Sequence, residues 1–383
     1  MICANTSWNL INFRSGLILS LIENGYDVVA VAPIDEHSSK LRDMGCKYIE
    51  IPMEKKGKSP FVDALLFSRF LLTILKYRPE FFLSYTIKPN IYGSIAANLL
   101  KVTTINNIAG LGTIFEKSGF LSYLVKALYR ISLRHSNCVF FQNEDDLALF
   151  KNAGVVSESQ ASLLPGSGVN LTFFQPSSNT NMYRDDDLIR ALNAKADYSR
   201  ICIEFIMVAR LLWSKGVGEY VEAARRIGKI YPEVKFNLLG FLEEKNPNAI
   251  DEITLKSWIS EGFINYLGST DDVRPYVLNS DCVVLPSYYM EGTPKSLLEA
   301  AAMAKPIITT DWVGCRNVVD QGVNGFLCKP KDVDDLEMKM REMIELGFDE
   351  RYEMGKNSRA KAEQKFDENL VISAYIEKLK EIE

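Results

Sequence analysis

The chain has 383 residues, 47% of them apolar and 24% charged, with a formal net charge of −5. That length exceeds one ordinary core, so two globular domains are expected, and the acidic balance argues against a general nucleic-acid binder. Two histidines are too few for a histidine-rich metal site, and seven cysteines without a C-x-x-C pair read as reduced thiols.

The charge is uneven. Residues 1–165 carry 17 Lys+Arg and 14 Asp+Glu, a net of +3, and the remainder carries 27 and 35, a net of −8. One domain facing an anionic surface gives such a split, and so does plain scatter of surface charge. The start Met-Ile-Cys-Ala-Asn has no basic segment followed by a long apolar core, so no secretory leader is expected. The longest apolar run, Phe61–Leu75, is interrupted by Asp63 and Arg69, so no membrane span is expected either. A cytoplasmic location is therefore expected.

In chain order, only Ile2–Ala4 are available for a first strand, and Asn5–Asn12 reads as a loop. Apolar runs then predict strands at Val28–Ala32, Tyr48–Ile51, Phe81–Tyr85, Thr103–Asn107 and Val139–Gln142. They continue at Ile203–Val208, Lys235–Leu239, Val283–Pro286 and Pro306–Thr309. Helical periodicity falls between them, at Arg14–Glu23, Ser59–Lys76, Tyr123–Leu133, Gly218–Ile230 and Asp332–Leu346. Continuous apolar strands alternating with helices mean an α/β protein with parallel sheets covered on both faces. About ten such units are too many for one doubly wound sheet. A closed eight-fold barrel competes, but Pro165-Gly-Ser-Gly-Val169 and the polar stretch from Phe174 to Thr180 break the chain near its middle. Two doubly wound domains facing a cleft follow, at 1–168 and 169–367, with ligands expected at the carboxyl ends of strands.

Two basic amphipathic stretches lie in the first half. One holds Lys55, Lys56, Lys58, Arg69, Lys76 and Arg78, and the other Lys117, Lys126, Arg130 and Arg134. Such helices can rest on an anionic membrane, although a core-facing helix with a solvated basic face is the commoner case. Gly110-Leu-Gly112, Gly166-Ser-Gly168 and Gly314-Cys-Arg316 are strand-end turns and weak signals singly. Asp185-Asp-Asp187 has the composition of a metal site, but it precedes Leu188-Ile-Arg-Ala-Leu192 and reads as an acidic helix start.

Two constellations carry more weight. Arg210-Leu-Leu-Trp-Ser-Lys215-Gly216 follows a strand and precedes a helix. A planar guanidinium and a point-charge ammonium five residues apart suit a diphosphate leaving group and make a metal unnecessary. Glu291-Gly-Thr-Pro-Lys-Ser-Leu-Leu-Glu299 follows another strand. Thr293 as cap and Pro294 as first helical residue would open a helix whose N–H groups attract an anion. Glu291 would sit in the loop before the cap, and Glu299 two turns on could accept two vicinal hydroxyls. An ordinary helix start with solvated glutamates is the plain alternative for that segment alone.

The ordered set resembles the family 4 glycosyltransferases, retaining enzymes of the GT-B fold. It runs through Asn5–Arg14, Thr86-Ile-Lys-Pro-Asn90, Gly110-Leu-Gly112, Leu164-Pro-Gly-Ser-Gly-Val-Asn170 and Ala209–Gly216. It continues through Tyr266-Leu-Gly268, Leu285–Pro294, Gly314-Cys-Arg316 and Gly322-Val-Asn-Gly-Phe-Leu327. The resemblance is strongest to bacterial enzymes of O-antigen, capsule and lipid-linked glycan assembly. It implies that Arg210 and Lys215 hold the diphosphate of a UDP-sugar, the co-substrate, with no other cofactor. It implies that Glu291 faces the donor sugar beside Gly292, Thr293 and Pro294, that Glu299 binds the ribose, and that Tyr266 and Leu267 lie near the base. Asn12, Arg14, Gly110 and Gly112 would be on the acceptor side, and the terminal helix 368–383 would pack back on the first domain. A lipid-linked glycan would be the acceptor, reached at the cytoplasmic face of the inner membrane. Many relatives carry a histidine where this chain reads Ser84-Tyr-Thr-Ile-Lys88, so Lys88 or Tyr85 would take over part of that work. A nucleotide-sugar epimerase of the same fold and an inactive binding homologue are the competing readings. The scarcity of histidine counts against the first, and the intact Arg210, Lys215, Glu291 and Glu299 count against the second.

Overall fold

A computed structural model describes residues 1–53, 59–111, 120–176, 203–243 and 246–383. Gly112, Lys55, Lys56, Lys58, Lys117 and Asp185-Asp-Asp187 lie outside the described residues. The chain forms two compact units. The first comprises Met1–Gly168, Met290–Thr293 and Glu368–Glu383, and the second Val169–Tyr289 and Pro294–Asp367.

The first unit is built on a seven-stranded parallel sheet. Its strands are β1 (Ile2–Cys3), β2 (Val29–Ala32), β3 (Lys47–Glu50), β4 (Phe81–Tyr85), β5 (Thr103–Ile108), β6 (Cys138–Phe141) and β7 (Ala161–Leu163). They lie in the order β3-β2-β1-β4-β5-β6-β7. Order reverses between β1 and β4, where Cys3 is in register with Ser84. Alternation along the strands fills both faces. Ile2, Ala4, Ala30 and Leu83 pack in one cluster, while Cys3, Val31 and Phe82 pack in another with Phe70 and Ile74. The helix Glu368–Ile382 adds Val371, Tyr375 and Leu379 to the first cluster, a spacing of four that puts all three on one helix face.

The helix after β1 starts earlier than the sequence suggests. It spans Ser7–Glu23, so most of the expected loop Asn5–Asn12 is helical. Thr6, extended at φ −155°, caps it by accepting a hydrogen bond from the Asn9 N–H at 3.0 Å, and Leu10 buries completely. A local cap and one core contact overrode a polar first turn.

The second unit repeats the plan with six parallel strands: β8 (Glu204–Val208), β9 (Lys235–Leu239), β10 (Asn265–Tyr266), β11 (Cys282–Leu285), β12 (Ile307–Thr310) and β13 (Gly325–Cys328). Their order is β10-β9-β8-β11-β12-β13. Its reversal lies between β8 and β11, paired through Phe205–Cys282 and Ile206–Val283.

Candidate active site

The crevice at a reversal of strand order is where an open parallel sheet exposes loops and helix starts to a ligand. In the second unit the loops leaving β8 and β11 meet there. The segment after β8 buries Leu211 and Leu212 and turns through a short helical turn, Trp213–Lys215. The Ser214 carbonyl accepts from the Tyr288 N–H at 2.9 Å, and the Ser214 N–H donates to Asn248 Oδ1 at 2.9 Å. Lys215 is thereby fixed at the end of β11. It is only 7% exposed, with Nζ 5.7 Å from the Tyr289 ring centre.

Arg210 is half-buried, and its Nη1 donates to Glu243 Oε2 at 2.9 Å. Asn246 Nδ2 donates to the same oxygen, also at 2.9 Å. The guanidinium is therefore already aimed and partly neutralised by a carboxylate in the loop after β9. An incoming anion would share it with Glu243.

The helix after β11 spans Lys295–Ala302. Pro294, at φ −60° and ψ 122°, occupies the cap position, so the expectation of a Thr293 cap with Pro294 inside the helix is off by one residue. The reason is that the Thr293 hydroxyl donates instead to the Gln142 carbonyl at 3.2 Å, and the proline supplies the turn into the helix. Glu299 lies in this helix and is 9% exposed. Burial pushes its carboxyl up to about 7, against the pull of Lys295, whose Nζ is 4.0 Å away, and with a smaller push from Asp272. Tyr266 donates its hydroxyl to the Gly240 carbonyl at 2.9 Å at the edge strand β10, and Leu267 beside it is exposed.

Met290–Thr293 belong to the first unit, where the ends of β5 and β6 cradle them. The Gly292 N–H reaches the Ala109 carbonyl at 3.3 Å, and Asn143 Nδ2 donates to the Glu291 carbonyl at 3.3 Å. Gly110, at φ +100°, comes so close that a Cβ there would lie 2.5 Å from the Gly292 nitrogen. Asn107 and Gln142 link this cradle inward. Gln142 Nε2 donates to Asn107 Oδ1 at 3.1 Å, and Asn107 Nδ2 to the Tyr375 hydroxyl at 3.1 Å.

Lys88 is engaged by Asp63, Nζ to Oδ1 at 2.8 Å, and the Tyr92 hydroxyl donates to the other Asp63 oxygen at 2.9 Å. Asn12 is half-buried, whereas Arg14 is 3% exposed and stacks over the Tyr85 ring at 4.3 Å. Arg14 shares a helix face with the buried Leu10 and Leu17, which turns its side chain towards the end of β4.

The second unit therefore gathers Arg210, Lys215, Tyr266, Leu267, Pro294 and Glu299. The first holds Asn12, Arg14, Lys88, Gly110, Glu291, Gly292 and Thr293. Glu243, Asp63, Gln142 and Asn143 had no sequence signal, because each meets its partner across more than 20 residues.

Comparison with known proteins places these segments. Residues 202–361 match the family model "Glycosyl transferases group 1", and residues 4–143 match "Glycosyl transferase 4-like". The chain is 30% identical over 377 residues to the N,N'-diacetylbacillosaminyl-diphospho-undecaprenol alpha-1,3-N-acetylgalactosaminyltransferase of Campylobacter jejuni, covering 96% of this chain and 94% of that one. It is 24% identical over 324 residues to the capsular polysaccharide biosynthesis glycosyltransferase CapM of Staphylococcus aureus, covering 84% and 81%. Among solved structures, HepE of Anabaena in complex with UDP has a TM-score of 0.75 at 17% identity, covering 99% of both chains. A glycosyltransferase of Rickettsia africae has a TM-score of 0.77 at 19% identity, covering 100% of this chain and 97% of that one.

Proposed function

The chain belongs to the family 4 glycosyltransferases, enzymes of the GT-B fold, and from that membership we propose a definite reaction. The protein transfers an N-acetylhexosamine or hexose from a UDP-sugar to a polyprenyl-diphosphate-linked glycan, with retention of anomeric configuration, in surface polysaccharide or glycan assembly. The observation that carries the reading is the end-to-end likeness to the Campylobacter enzyme, whose name gives both a hexosamine and a diphospho-undecaprenol acceptor.

In this reading the two cations after β8 take the departing charge. Arg210 offers its fork and Lys215 its point charge to the donor diphosphate, so no divalent metal is required. Glu299 accepts the vicinal ribose hydroxyls, and Tyr266 and Leu267 stand near the base. Glu291, with the backbone of Gly292 and Thr293, positions the donor sugar. The acceptor hydroxyl attacks the anomeric carbon on the face from which UDP departs. The C1–O bond to phosphate breaks as the new glycosidic bond forms, and the acceptor proton passes to the leaving phosphate oxygen. No side-chain base is needed.

With a lipid-linked acceptor, the enzyme would work at the cytoplasmic face of the inner membrane. Among the described residues no helix is long and apolar enough to cross a membrane. A peripheral contact is supported by the helix Pro60–Tyr77, whose outer face carries Phe61 (81% exposed), Leu65, Leu72 (66%) and Leu75, with Lys76. Tyr123, Leu124 and Ile131 of the helix Phe120–Leu133 are likewise exposed, near Arg130.

A panel of UDP-sugars offered with polyprenyl-diphosphate sugars, read by mass spectrometry, tests the reaction. The expected result is UDP release only when an acceptor is present, an α-linked product by NMR from an α-linked donor, and full rates in EDTA. UDP-sugar converted to an isomer without acceptor overturns it.

A further inference from the structure

The first unit contains a buried cation that the reaction above does not use. Arg14 is 3% exposed, and its Nε and Nη1 are buried without a hydrogen-bond partner. Among the described residues no carboxylate pairs with it. Its guanidinium carbon lies 4.3 Å from the centre of the Tyr85 ring, and the Tyr375 hydroxyl is close enough to feel its charge. A guanidinium stays charged at any physiological pH, so it cannot relieve the penalty by losing a proton. A cation over an aromatic face recovers only part of that penalty, and an apolar side chain of similar volume would be cheaper at this position.

The place is informative. Cys3 of β1 is in register with Ser84 of β4, so Tyr85 ends β4 at the reversal of strand order in the first sheet. Arg14 stacks there, two turns into the helix that leaves β1. The adjoining loops are tied by the Asn5 N–H, which donates to the Thr86 hydroxyl at 3.2 Å. Thr86 itself stands at φ +67°, an unusual conformation for a β-branched residue. An unpaired fork of donors at the carboxyl edge of a doubly wound sheet has the chemistry to receive a phosphate oxygen pair.

We propose that Arg14 forms an anion subsite for the diphosphate of the acceptor. The assignment to the acceptor follows from the division of cations: Arg210 and Lys215, in the second unit, already serve the donor diphosphate in the reading above, on which this inference rests. Arg14, buried in the first unit at the reversal of strand order and without a carboxylate on it, is then the candidate for the second diphosphate substrate.

The test uses full-length Arg14→Met and Arg14→Lys. With a prenyl-diphosphate-linked N-acetylhexosamine as acceptor, Arg14→Met raises the acceptor KM at least about tenfold, moves the donor KM less than twofold, and leaves Tm equal to or above the parent. Arg14→Lys recovers part of the KM. The effect vanishes with an alkyl glycoside acceptor that lacks the diphosphate. An unchanged acceptor KM, or a donor KM that rises as much as the acceptor's, overturns the proposal. A second arm is independent of turnover. In a protein with Arg210 and Lys215 both changed to Ala, inorganic diphosphate raises Tm, and adding Arg14→Met abolishes that shift. Absence of the shift with Arg14 present overturns the subsite. If no donor and acceptor pair reacts, the transferase reading falls while this second arm still decides the subsite.

Discussion

Gly216 and Pro286 are in backbone contact: a Cβ placed on Gly216 would lie 2.2 Å from the Pro286 carbonyl oxygen. Gly216 also stands at φ +79°, as the residue that links the Lys215 turn to the helix Val217–Ile230. The two loops that leave the paired strands β8 and β11 can therefore close on each other only through a residue without a side chain. That closeness is what sets Lys215 beside Tyr289.

Gly216→Ala is expected to cost about 2 kcal/mol or more of stability, from the left-handed backbone together with a clash against a rigid carbonyl. Because the displaced segment carries Lys215, UDP affinity should fall as well. Urea unfolding and UDP titration at a temperature where the variant stays folded check both effects. A variant with parent stability would mean that the turn relaxes freely.

Lys215→Ala separates charge from scaffold. The backbone of the Trp213–Lys215 turn is held by the Ser214 bonds to Tyr288 and Asn248, so it should survive loss of the lysine side chain. The variant is expected to keep its Tm within a few degrees while kcat falls about 10²-fold, the scale for removing one preorganised donor to a developing oxyanion. Parallel loss of Tm and kcat would instead mark Lys215 as structural.

The sheets were legible in the sequence because a strand buried on both faces is a largely apolar run bounded by turn residues. Phe81–Tyr85 and Lys235–Leu239 match observed strands residue for residue. Short strands such as β7, β10 and β13 were missed, since two to four residues, with Asn265 or Gly325 among them, carry no pattern of their own. The cationic and acidic residues of the site were legible as strand-end motifs. Their keepers were not. Glu243 on Arg210, Asp63 on Lys88 and the Gln142 carbonyl on Thr293 are brought together by topology, and topology leaves no local spacing.

Lys88 gives a sharper case. Its side chain and that of Asp63 are both largely buried, and the pair is completed by Tyr92. Lys88→Ala would strand the Asp63 carboxylate with one hydroxyl, at an expected cost of about 3 kcal/mol. Asp63→Asn in the same chain should return most of it, because the neutral amide needs no counter-charge. If Lys88 also serves the donor sugar, the double variant regains stability but not kcat/KM. If both return together, Lys88 is only a structural partner of Asp63.

Glu299 sets function against stability, and pH exposes the conflict. Its folded carboxyl titrates at about 7 because it is buried, whereas the unfolded group titrates near 4.5. Between those values the folded state holds a proton that the unfolded state has released. The unfolded state is therefore favoured progressively as pH rises through this window, by up to about 3 kcal/mol above pH 7. Glu299→Gln removes the titration. It should be more stable than the parent at pH 8 and no more stable at pH 4.5, as read from urea midpoints across that range. UDP binding should move the other way. The ribose hydroxyls are best accepted by the ionised carboxylate, so parent affinity should weaken as pH falls below about 7, while Glu299→Gln binds weakly at every pH. A parent whose UDP affinity is flat from pH 6 to 8 would exclude the ionised carboxylate as the ribose acceptor.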